Sequence, residues 1–148
     1  MESQTRRAFE QLGIDARMAN NFVRNQSGNV VTSFTLTIPD NTIANLNQRQ
    51  VTYGYETDPT DTTKQRLFSV PGTDPSATTG RTILVSKINA VTFLRYDSSG
   101  VLIDPGTISD AGIKHIQISV SVSRSTVGVA ATTQVIRSSA FTIRNISI

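Results

Sequence analysis

His115 is the one histidine of the chain and the first place to look for chemistry. It opens a stretch in which Ile116, Ile118, Val120 and Val122 alternate with His115, Gln117, Ser119, Ser121 and Ser123. Period-two alternation places its imidazole on the polar face of a strand, beside Gln117. Cysteine is absent, so a transition-metal centre would have to be completed by carboxylates from elsewhere, and a surface histidine is the better reading. A serine nucleophile with His115 as base needs partners near in space only, yet no stretch resembles a nucleophile elbow. Asp58 with Asp61, or Asp97 with Asp104 and Asp110, offers the oxygen ligands that Ca²⁺ takes. Each sits among Pro, Gly, Ser or Thr, where aspartate is ordinary turn chemistry. There is no glycine-rich phosphate loop, and Asn25-Gln26-Ser27 and Asn145-Ile146-Ser147 are chance-frequent matches to the N-glycosylation pattern. Tyr53, Tyr55, Tyr96 and the six Phe could stack bases, but most fall on core parities, which points to packing. These residues predict no enzyme: no catalytic group, no cofactor and no metal.

The elements that would position them are strands and one helix. At 148 residues the chain is expected to be a single domain over 1–148, with a helix at about 2–25 and a β-rich head at about 30–148. On a helical wheel, Phe9, Leu12, Ala16, Ala19 and Val23 form one apolar row of Glu2–Arg24, the expected helix–sheet packing. Ile14, Met18 and Phe22 form a second row, set apart by Gln11 and Asp15. That second row is either the margin of one broad core face or a docking face for a second partner. Asn20, Asn21 and Asn25–Gly28 supply the helix stop.

Strand patterns follow at Val30–Ile38, at Val51, Tyr53 and Tyr55, and at Arg66–Val70, Thr82–Ile88, Val91–Tyr96, Val101–Ile103 and Ile116–Val122. Thr42–Gln50 reads as a connection, Thr57–Thr63 as a turn, and Pro71–Gly80 and Asp104–Gly112 as loops. Thr133–Ile146 carries apolar residues on both parities, which predicts a bulge near Ser138-Ser139. The net charge of +3 is modest, and the basic residues are scattered singly from Arg6 to Arg144 rather than clustered as a nucleic-acid footprint. Sparse charge with abundant Ser, Thr, Asn and Gln leans toward a secreted or surface protein. No apolar run approaches the roughly 20 residues of a membrane span.

In its order of motifs the chain resembles the type IV pilin-like family, in particular the W-class minor pilins and the J-type minor pseudopilins of type II secretion. The resemblance rests on Phe9–Ala19 with its aspartate, basic residue and alanine, and on Val51-Thr52-Tyr53-Gly54-Tyr55 followed by Gln65-Arg66-Leu67-Phe68. It rests further on Ile88–Gly100, ending in Tyr-Asp and a glycine turn, and on Ile113–Val122 with Phe141–Asn145. It implies an α+β fold, an N-terminal α-helix packed on an antiparallel β-sheet. It also implies a subunit that helps initiate a type IV pilus or type II pseudopilus by associating with other minor pilins and the major pilin, with Ile14, Met18 and Phe22 as the candidate subunit interface. The family's leader, cleavage site and hydrophobic half-helix would precede Met1, so the natural protein is expected to continue upstream. It would be anchored in the inner membrane of a bacterial envelope. The alternative implied is a pilus-tip binding module for DNA uptake or surface adhesion.

Overall fold

The computed structural model describes residues 2–27, 30–39, 48–103, 113–125 and 132–143. One helix, α1 (Glu2–Met18), precedes β1 (Asn21–Ser27), β2 (Val30–Pro39), β3 (Gln48–Asp58), β4 (Asp61–Pro71) and β5 (Thr82–Ile88). β6 (Ala90–Asp97), β7 (Ile113–Ser125) and β8 (Thr132–Thr142) complete the chain order. β1 to β5 form one antiparallel sheet in sequence order and β6 to β8 a second. This corrects the α+β expectation of a helix laid on one sheet. The described chain is mostly strand, in two antiparallel sheets closer to a β-sandwich, because two sets of alternating strands each present an apolar face and those faces bury one another. No helix among the described residues is long and apolar enough to cross a membrane.

The helix is shorter than its apolar periodicity predicts. Asn20 and Asn21 are poor helix formers, and the Asn20 amide donates instead to the Thr37 carbonyl at 2.8 Å, turning the chain onto β2. Arg17 in the last turn donates from Nε to the Gly13 carbonyl at 3.2 Å, a second bond to that acceptor that places a cation at the negative end of the helix dipole. β1 then pairs from Asn21↔Thr37 to Ser27↔Val30.

The inner face of the larger sheet contributes Phe34, Leu36, Ile38, Val51, Tyr53 and Leu67, and that of the smaller sheet Phe93, Ile116, Ile118 and Val120, all buried. Phe34 meets Phe93 edge-on at 5.2 Å between centroids and so joins the layers. The chain passes from one sheet to the other at Asn89, whose amide donates to the Ser121 carbonyl at 2.8 Å and whose side chain accepts from Lys64. Just before it, Lys87 adopts φ 56°, a left-handed backbone. The buried Asp58 carboxylate accepts from the Lys87 amide at 3.2 Å and holds that turn.

Three local expectations change. Gln48–Gln50 belongs to β3, because it pairs with Thr37, Ile38 and Pro39, while most of the expected connection lies outside the described residues. Val101–Ile103 makes a single bridge, Tyr96↔Leu102, and leaves Val101 and Leu102 exposed. No bulge interrupts β8: its register to β7 is continuous from Thr132 to Thr142. The mixed parity there reflects an apolar residue turned to solvent, since Ile136 is exposed.

Candidate functional site

The helix α1 is asymmetric around its axis. Ala8, Leu12, Ala16 and Ala19 are fully buried, and burying Leu12 alone contributes about 1.5–3 kcal/mol. Gly13 lets this face approach β8: a Cβ there would stand 3.2 Å from the Phe141 ring. Phe9, half-buried, meets the same ring edge-on at 6.0 Å. On the opposite side Ile14 and Met18, one turn apart, are 46% and 47% exposed.

The two sequence-predicted rows exchange their last members. Phe22 is buried and stacks on Phe34 at 5.4 Å, whereas Val23 is 52% exposed. The helical wheel ceases to apply once the chain enters β1, where alternate residues face opposite sides: Phe22 pairs with Leu36 on the core face and Val23 with Thr35 on the other. The outer row is therefore Ile14 and Met18, and the helix–sheet row ends at Ala19.

The margin of the buried face carries Asp15, which lies three residues after Leu12 and four before Ala19 and is itself buried. Both of its oxygens are engaged. Oδ1 accepts from Arg49 Nη2 at 3.0 Å and, at 3.4 Å, from Gln11 Nε2; Oδ2 accepts from the Tyr53 hydroxyl. These partners meet the desolvation cost that an unpaired buried carboxylate would carry. Burial first, and then the hydrogen bond and negative charge of Asp15, push the Tyr53 hydroxyl far above the ordinary tyrosine range, so it stays a donor. Around this cluster lies a cleft of about 660 Å³ between α1 and strands β3, β4 and β5. Arg7, Gln4 and Gln11 line it from the helix, and Arg49, Ser69 and Thr82 from the sheet.

The remaining sequence candidates are occupied by structure. His115 Nδ1 lies 3.1 Å from Thr142 Oγ1 on the outer face of the smaller sheet. Asp58, Asp61, Asp74 and Asp97 each accept from the backbone amide two residues on. Hydrogen bonds from Thr60, Thr63 and Ser76, side-chain hydroxyls foremost, hold the carboxyls of Asp58, Asp61 and Asp74 below their usual range. Asp104, Asp110 and Asn145–Ser147 lie outside the described residues, and Asn25–Ser27 is part of β1. Among the described residues no three His, Asp or Glu gather as a metal site. Most aromatic rings pack on one another, Phe34 on Tyr53 and Phe93 on Tyr55, while the Tyr96 hydroxyl donates to Gln117 at 2.7 Å.

Sequence reasoning missed the cleft. Its one available signal was Asp15 at core spacing between Leu12 and Ala19; Arg49 fell in a segment read as a connection. No family model matches this chain, and no curated protein matches it.

Proposed function

We propose that the protein is a non-catalytic assembly subunit that packs against neighbouring subunits through the outer face of α1, as a minor pilin or pseudopilin does in a type IV pilus or type II pseudopilus. What supports this reading is the exposed pair Ile14 and Met18 on a helix whose opposite face is already saturated by the core. A helix needs only one apolar face to fold onto a domain, so a second apolar pair left in water is a cost that a partner removes. The helix supplies the contact and the β-rich body the partner-specific head. Its partners are the other minor subunits and the major subunit.

The test is Met18→Asp combined with Ile14→Glu in the intact protein, in its source organism. Surface filaments are counted by electron microscopy and exported proteins are assayed in the medium. Loss of one or both, with the purified variant unfolding within about 0.5 kcal/mol of wild type, is the expected result. Normal filaments and normal export with the double variant present at wild-type abundance would overturn the proposal.

A further inference from the structure

We infer that the cleft between α1 and strands β3 to β5 binds a small organic oxyanion, a carboxylate or phosphate, through Arg7 and Arg49. The charge balance carries the inference. Two arginines line the cleft, Arg7 on the helix wall and Arg49 on the sheet wall, and Asp15 is the one acidic residue among its lining residues. Asp15 spends both oxygens on internal donors, and Arg49 spends one nitrogen on Asp15 while 52% of its side chain stays exposed. Of its five N–H donors, most remain for a ligand. Arg7 has no ion pair among the described residues, and the neighbouring acid on the helix, Glu10, lies 3.8 Å from Arg6 instead. A planar guanidinium with free donors is matched to a carboxylate or phosphate, which it engages through paired hydrogen bonds.

Size and lining narrow the ligand further. About 660 Å³ lies within the range of small-molecule sites. Val51 and Leu84 offer apolar surface, and Gln11, Ser69 and Thr82 offer neutral polar groups. The occupant is thus an anion carried on a short organic body. The Tyr53–Asp15–Arg49 cluster fixes the Arg49 head in place before the ligand arrives, which lowers the ordering cost of binding. This inference is independent of the assembly reading, since Ile14 and Met18 do not line the cleft.

The experiment titrates the whole chain with glutarate, with inorganic phosphate and with uncharged glutaramide, following backbone amide shifts by NMR. Glutarate or phosphate is expected to give saturable shifts at Gln11, Arg49 and Thr82 in the millimolar range or tighter, and glutaramide none. The stronger of the two anions identifies the natural head group. Arg7→Gln, at an exposed helix position, should leave the fold intact and weaken binding by about tenfold or more, as expected for losing a charge-assisted contact. Arg49→Gln should weaken it as well, with a thermal melt checking that Asp15 is still accommodated. No saturable shift with either anion, equal shifts with glutaramide, or unchanged affinity in Arg7→Gln would each overturn the inference.

Discussion

Asp15 and Tyr53 depend on each other at the residue scale. Tyr53 is buried and donates to a buried carboxylate, so removing its hydroxyl leaves Asp15 with only Arg49 and Gln11 as partners. Tyr53→Phe is expected to cost about 1–3 kcal/mol, the range for leaving a buried polar group short of a partner. A pH signature accompanies the loss. The folded-state ionisation of Tyr53 is raised above the ordinary tyrosine value of 10.0, chiefly by burial. Its contribution is therefore fully present below pH 10 and is lost as pH rises beyond it, because the unfolded chain releases the phenolic proton first. Denaturant melts of wild type from neutral pH to strongly alkaline pH should show stability falling above about pH 10. The same series on Tyr53→Phe should start lower and fall less steeply. An equal alkaline slope in both proteins would mean that another group governs the decline.

At the scale of elements, the junction between α1 and β1 decides which side chains face the core. A helix continued past Met18 would bury Val23 and leave Phe22 on the outer row; the strand does the reverse. Phe22→Asp should therefore cost about 3 kcal/mol or more, through a lost aromatic contact with Phe34 and a charge placed in the core. Val23→Asp should stay within about 0.5 kcal/mol. Chemical denaturation of the two variants separates the cases, and similar losses in both would argue that the junction is misplaced. This junction was not legible in the sequence because helical periodicity runs unbroken from Phe9 to Val23, while the competing strand pairing is supplied by β2. Strand parity was legible wherever one face alone decides burial, as at Ile116, Ile118 and Val120. It was less informative at Thr35 and Thr52, polar positions that are nonetheless buried. There Thr52 donates to the Gly72 carbonyl at 2.7 Å, so its 2.7 Å contact with Thr35 is one in which Thr35 donates, and the acceptor that completes the pair comes from the loop after β4. The same limit hid the cleft: Asp15, Arg49 and Tyr53 are brought together only by the packing of α1 on the larger sheet.

For the whole molecule, the question is whether two sheets joined through Asn89 behave as one unit. Phe34 is the residue on which they converge. It stacks on Phe22 and Tyr53 within the larger sheet and meets Phe93 of the smaller one, and it is fully buried. The helix adds a second tie, since α1 contacts β2 and β5 of one sheet and β8 of the other. A core shared in this way unfolds cooperatively, because neither sheet keeps its apolar face covered once the other departs. Phe34→Ala is expected to cost about 3–5 kcal/mol. The loss should be felt equally by the sheet that contains the mutation and by the one that does not. Native-state hydrogen exchange reads the two separately: amides of β3 and of β7 should lose protection by the same free energy. If the β7 amides kept wild-type protection while those of β3 lost theirs, the three-stranded sheet would be an independent folding unit, and the Phe34–Phe93 contact a surface of association rather than part of one core.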